Sequence, residues 1–286
     1  MYGILTDYAF VTVAFGTSVF ALASCLLGSI SVLKRQSLVG DALGHASYPG
    51  VILSFMVFES RHPLLLMLGA MLTGLLSYSL IFLIHSYSKQ SYVNALSLVS
   101  ASFFGLGMVL KNLLQGNSHY QKASQAGLQN YLFGQAAFIQ KSDLYLIMGV
   151  SLLVIGLFCL LFYQLSLYLF DENFAQIAAV PIKAIKIGQI ILMTALIAVG
   201  LKVVGAILMS SFLIAPSVFG LLVGKTYRHS LIAGSLMAVF SAFLGSFLSS
   251  MIKGMSTGPS IIIVMSLFIA LAFMWSTYVR KENRHA

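Results

Sequence analysis

Nine apolar runs, at about 8–33, 37–58, 63–86, 94–110, 143–169, 184–201, 203–224, 229–250 and 257–279, succeed one another with short polar punctuation between them. A helix needs about 20 such residues to cross a hydrocarbon core. Backbone facing lipid has to satisfy its own hydrogen bonds. The pattern therefore predicts an all-α, polytopic helical membrane protein with about nine transmembrane helices, organised as one domain over 1–286.

Composition agrees, because 59% of the residues are hydrophobic and 8% charged, against about 25% charged in a soluble domain. Met1 to Phe10 holds Asp7 and no basic residue, so the first run is expected to be a retained span rather than a cleaved signal. Cys25 and Cys159 stand singly inside apolar runs and predict no disulfide framework. The net charge of +9 is explained by the topology that Lys and Arg set, so no nucleic-acid partner is expected.

The stretch 111–142 breaks the pattern. Lys111 to Gln129 is polar and predicts an extracellular loop over about 111–130, and 130–139 is too short to span and predicts a re-entrant or interfacial turn. An N-terminus outside puts ten of the 16 Lys and Arg on the inner side, among them Lys34, Lys186 and Arg228, and six outside, among them Lys202. The positive-inside rule then favours N-out and C-in.

One run is chemically unlike the rest. Ser37 to Ser54 reads SLVGDALGHASYPGVILS, and a carboxylate inside a span is costly unless paired or hydrated. Asp41 and His45 are four residues apart and leave the same face of a helix. Together they make a bidentate oxygen and nitrogen site suited to Mn²⁺, Fe²⁺ or Zn²⁺, with no thiolate to favour Cu(I). The plain alternative is a structural Asp–His pair that binds nothing. Pro49 cannot donate to the His45 carbonyl, so a bend at Pro49 and Gly50 would free that oxygen as a third ligand or a gating point.

The residues Gly40, Asp41, Ala42, His45, Ala46, Pro49 and Gly50 resemble the second-helix motif of the permeases of manganese, zinc and iron-type ABC importers, with Gly44 where a serine is usual. Phe133-Gly134 with Asp143, Val204-Gly205 through Pro216, and Thr257-Gly258 are similar to further segments of that family, so the likeness runs along nearly the whole chain. The resemblance implies a type II-like ABC importer permease in a bacterial cytoplasmic membrane, with Asp41 and His45 binding the metal. It implies a transported ion, Mn²⁺ first and then Zn²⁺ or Fe²⁺, and no permanently bound cofactor. It also implies cytoplasmic ABC ATPase subunits, an extracytoplasmic metal-binding protein and a second permease copy or paralogue as partners.

Within the segment 170–183, Phe170, Asp171, Glu172, Ala175 and Ala179 are similar to the family's ATPase-docking motif, with Ala179 where relatives usually carry glycine. A plain interhelical loop is the alternative there. Gly220 to Thr226, GLLVGKT, has one residue too few between its glycines for a phosphate-binding loop. Hydrolysis of ATP is therefore expected on a separate subunit, and this chain is expected to be no enzyme. Two other classes stay open: a stand-alone secondary carrier or channel with an Asp41–His45 relay, and an intramembrane metalloenzyme, which would need more ligands.

Overall fold

A computed structural model of the chain describes residues 8–116, 131, 134, 140–206, 208–252 and 255–285. Eleven helices carry these residues: α1 (Tyr8–Leu33), α2 (Leu38–Phe58), α3 (Pro63–Tyr87), α4 (Tyr92–Gly116), α5 (Lys141–Leu160), α6 (Phe162–Phe170), α7 (Glu172–Ile177), α8 (Ile182–Val203), α9 (Met209–Val223), α10 (Tyr227–Met251) and α11 (Thr257–His285). Among the described residues there is no strand.

Seven helices, α1, α3, α4, α5, α8, α10 and the Thr257–Thr277 part of α11, are long and apolar enough to span a membrane. The other two predicted runs correspond to α2 and α9. Helix α2 has 21 residues, and Asp41, His45, Ser47 and Pro49 dilute its apolar character. Helix α9 has 15 residues; at 1.5 Å per residue it is about 22 Å long, short of a core about 30 Å thick.

The run 203–224 begins later than its apolar character suggests because the chain turns first. Gly205 has φ +89, a left-handed conformation that glycine enters without a Cβ penalty, and the Ala206 N–H leaves the helical ladder to donate to the Tyr131 carbonyl at 3.1 Å. Gly134, with φ +70, packs onto this turn so closely that a Cβ would stand 2.2 Å from the Val204 carbonyl carbon. Gly134 and the Val204-Gly205 turn, about 70 residues apart in sequence, thus meet through glycine.

Other boundaries also move. Helix α4 runs on to Gly116, so residues 111–116 of the predicted loop are helical, and 117–130 lie outside the described residues. Of the predicted turn at 130–139, only Tyr131 and Gly134 are described, and both are buried. The run 143–169 divides into α5 and α6 at Leu161.

Helix α2 packs against α3 on one side and α4 on another, while α1 packs against α5, α9 and α10, and α8 joins the two groups. With little hydrophobic drive between helices in lipid, close van der Waals contact through small residues holds such packing together. A Cβ on Gly50 would lie 2.1 Å from the Gly69 carbonyl oxygen, and one on Gly40 would meet the Leu213 side chain at 2.6 Å. Gly220 and Gly224 play the same part where α9 meets Ser230 of α10. In α1, Phe20, Ala21 and Ala23 are wholly buried.

Polar contacts gather at two ends of the bundle. Lys34, Glu172 and Lys186 meet at one, and Asp143 pairs with Lys202 at the other. The alternation of spans predicted from charge places these residues on the same two sides relative to one another.

Candidate functional site

Helix α2 turns Gly40 and Gly44 toward α9 and the turn before it, where Leu213, the Ala206 carbonyl and Met209 lie against them. Its Asp41 and His45 face elsewhere, into a groove of about 400 Å³ shared with α4 and lined by Leu38, Ala42, Ser97, Ser100 and Phe104. Spacing of three to four residues along both helices makes these positions line one face each. Both lysine-free walls carry hydroxyls or apolar groups, so the Asp41 carboxylate is the one fixed negative charge among the groove-lining residues.

Asp41 Oδ1 and His45 Nε2 stand 3.7 Å apart, with about two-fifths of the Asp41 side chain and one-fifth of the His45 side chain exposed. That distance is longer than a hydrogen bond. Two donors on one ion at bond lengths of about 2.1 Å and angles of 90–120° lie about 3.0–3.6 Å apart, so the pair stands within about 0.1 Å of the separation that a shared metal asks for. Phe104 sets its ring edgewise to the imidazole, with centroids 5.0 Å apart. Among the described residues the buried His45 Nδ1 has no hydrogen-bond partner.

The groove occupies the N-terminal halves of α2 and α4. Beyond it the helices close: a Cβ on Gly107 would meet the Tyr48 ring at 2.7 Å and Pro49 at 3.3 Å. The helix continues through Pro49 to Phe58, and Gly50 serves the contact with α3 described above. Among the described residues no group of three or more His, Cys, Asp or Glu side chains comes together. The described residues thus bring two ionisable side chains to this face, beside the Ser97 and Ser100 hydroxyls.

The second predicted constellation lies at the Lys34 end of the bundle. Helix α7 begins where Asp171 Oδ1 accepts from the Phe174 N–H at 2.9 Å, a side-chain N-cap. It ends at Ala179, whose φ is +56, with the Val180 N–H donating to the Ala175 carbonyl at 2.9 Å and the Ala179 N–H to Gln176 at 3.1 Å. These are the two bonds of a Schellman motif, whose left-handed position favours glycine.

Glu172 is held by Lys186 at 2.7 Å and Lys34 at 3.3 Å. The hydrogen bond from Lys186, aided by that from Lys34, holds its carboxyl below the usual carboxylate range. Phe170 rests edgewise on Tyr227 with centroids 5.5 Å apart, and Ala175 is fully buried. What the segment presents outward is apolar: Phe170, Phe174 and Ile177 are 65%, 51% and 84% exposed. Sequence reasoning singled out the acids and missed Phe174, Ile177 and the two lysines. The signal available was the alternation of Phe174 and Ile177 at i, i+3 in a segment too short to span.

A third ionic group was not foreseen as a pair. Asp143, almost wholly buried, bonds Lys202 across the other end of the bundle and also accepts from the Gln140 N–H at 2.8 Å, closing the start of α5.

Comparison with known proteins follows the same lines. The model described as the ABC 3 transport family matches residues 7–276. The manganese transport system membrane protein MntC of Bacillus subtilis is 34% identical over 91% of this chain, and the match spans 58% of that relative's length. The zinc transport system membrane protein TroC of Treponema pallidum is 33% identical over 95% of this chain and 90% of its own. The chelated iron transport system membrane protein YfeD of Yersinia pestis is 30% identical over 90% of this chain and 81% of its own. Among solved structures, PsaBC from Streptococcus pneumoniae in complex with Fab superposes with a TM-score of 0.82 at 26% identity, covering 95% of this chain and 93% of that one.

Proposed function

The chain belongs to the ABC 3 transport family, and from that premise we propose that it is the membrane permease of an ATP-driven importer whose cargo is a divalent transition metal held by Asp41 and His45. The observation that carries the proposal is their 3.7 Å separation on one face of α2 inside a groove. A carboxylate and an imidazole of neutral form exchange water for protein ligands on Mn²⁺, Zn²⁺ or Fe²⁺. The named relatives carry manganese, zinc and iron in their descriptions, and manganese is the first choice.

With the N-terminus outside, the groove at the start of α2 and α4 opens toward the cytoplasm, and the contact of Gly107 with Tyr48 and Pro49 closes the outer side. The arrangement is then a release-facing state. Loss of the groove's open end and opening of the Gly107 contact would turn the same two ligands outward. A second permease copy brings a second Asp41 and His45 to complete the ion's shell, and an extracytoplasmic metal-binding protein delivers it. ATPase subunits grip the exposed Phe170, Phe174 and Ile177 of the 170–183 segment, with Asp171, Glu172, Ala175 and Ala179 shaping the knob from within.

The test is ATP hydrolysis and metal uptake by the permease reconstituted with its ATPase, across Mn²⁺, Zn²⁺ and Fe²⁺. One or more of these ions stimulates hydrolysis and enters the vesicle, and Asp41→Ala abolishes both responses. Native import by Asp41→Ala at equal expression refutes the assignment.

A further inference from the structure

Lys34 sits at the end of α1, seven residues before Asp41. Its ammonium donates to the Tyr168 carbonyl at 2.8 Å and to Glu172 Oε2 at 3.3 Å, and lies 4.0 Å from the centre of the Tyr168 ring. Two contacts from Tyr168 of α6 and one from Glu172 of α7 thus converge on a side chain that belongs to the turn leading into α2. That turn is stiff. Arg35, at φ +57, donates its N–H to Val32 at 3.1 Å, the Gln36 N–H donates to Ser31 at 2.7 Å, and the Gln36 carbonyl accepts from the Val39 N–H at 3.0 Å. Gln36 is therefore bonded to the last turn of α1 on one side and the first turn of α2 on the other.

We infer that Lys34 is the positioning residue that links the 170–183 segment to the metal site, through Glu172 on one side and the α1–α2 turn on the other. Displacement of α7 pulls on Lys34 through Glu172, while the Tyr168 carbonyl holds the same ammonium to the end of α6. The rigid turn passes that displacement to Leu38 and Asp41, which line the groove. Lys186 supplies the other anchor of Glu172, at the start of α8, so α7 cannot move without biasing two helices together. A link of this kind counts as coupling because it gives both sites a stake in one element's position. The inference rests on the metal-permease reading above.

The experiment measures metal ions imported per ATP hydrolysed by the permease assembled with its ATPase in vesicles, together with Mn²⁺ binding to the same preparation. In Lys34→Met the ratio falls about five- to tenfold, the range of ordinary site-to-site coupling, while Mn²⁺ binding persists. Lys34→Arg, which keeps the charge and the donors, restores the ratio to within about twofold. If Lys34→Met does not assemble, Glu172→Gln, which keeps the shape and removes the charge, is read by the same ratio. A native ratio in the variant that is read, or no recovery in Lys34→Arg, overturns the link. Failure of the underlying reading looks different, since Asp41→Ala would then import normally.

Discussion

Asp41 and Glu172 are two of only seven acidic residues in the chain, and their surroundings differ in kind. Glu172 is clasped by two lysines at 2.7 and 3.3 Å, and its neighbour Asp171 is consumed in capping α7. Among the described residues that line its groove, Asp41 has one ionisable neighbour, His45, and at 3.7 Å the two do not hydrogen bond. An acid whose oxygens are already committed shapes the protein, whereas an acid left facing a groove beside an imidazole is available to a ligand. The Asp171-Glu172 pair, conspicuous in the sequence, is held by contacts within the chain, and the apolar Phe174 and Ile177 beside it are exposed.

Substitution at the two sites separates ligand from scaffold. Asp41→Ala and His45→Ala should each lower metal import by about 100-fold, the scale on which metal sites respond to loss of a ligand or its support. For Asp41→Ala thermal stability should stay within about 0.5 kcal/mol of native, because a side chain two-fifths exposed with no committed bond contributes little. A large drop in melting temperature with that variant would mean that the pair is structural.

Asp143→Ala should behave in the opposite way. It leaves Lys202 without its partner in a mostly buried place, and with a quarter of the Lys202 side chain reaching solvent the cost is about 2 kcal/mol, below the usual figure for a broken buried pair. Melting of the purified protein in detergent reads this directly. The double variant Asp143→Ala with Lys202→Met should recover most of the loss.

Glu172 adds a pH dependence. Its carboxyl is held below the ordinary value of 4.5, so its contribution is complete above that value and is lost as pH falls through the lower, folded one. The protection factors of amides 172–177, with the intrinsic exchange rate at each pH divided out, should therefore change little from neutral pH down to about 5 and fall only below the ordinary carboxylate range. A fall already at about pH 6 would assign the protection to another group. The smallest effect belongs to Ala179→Gly, which relieves a left-handed alanine and should stabilise α7 by about 0.5–1 kcal/mol, seen as slower exchange in the same amides.

Much of the architecture was legible because hydrophobic run length is a local property. The Asp41–His45 placement was equally local, since i, i+4 spacing on a helix fixes the shared face before any tertiary contact forms. What could not be read was long-range. Lys34 lies 138 residues from Glu172 and Lys202 lies 59 from Asp143, and nothing in sequence spacing pairs them. The shortened α9 was hidden for a related reason: Val204 to Leu208 is as apolar as a helix, and only the packing of Gly134 against it shows that the backbone turns there. The partners of Glu172 were hidden in the same way, because they are lysines contributed by the end of α1 and by α8.

The central claim is that Asp41 and His45 hold the transported ion. Electron spin-echo spectroscopy of Mn²⁺ bound to the permease and ATPase in lipid nanodiscs reports nitrogen attached to the metal. The account predicts modulation from a directly bound imidazole nitrogen in the native protein and its disappearance in His45→Ala. The same nitrogen signal in His45→Ala, or none in the native protein saturated with Mn²⁺, would contradict it.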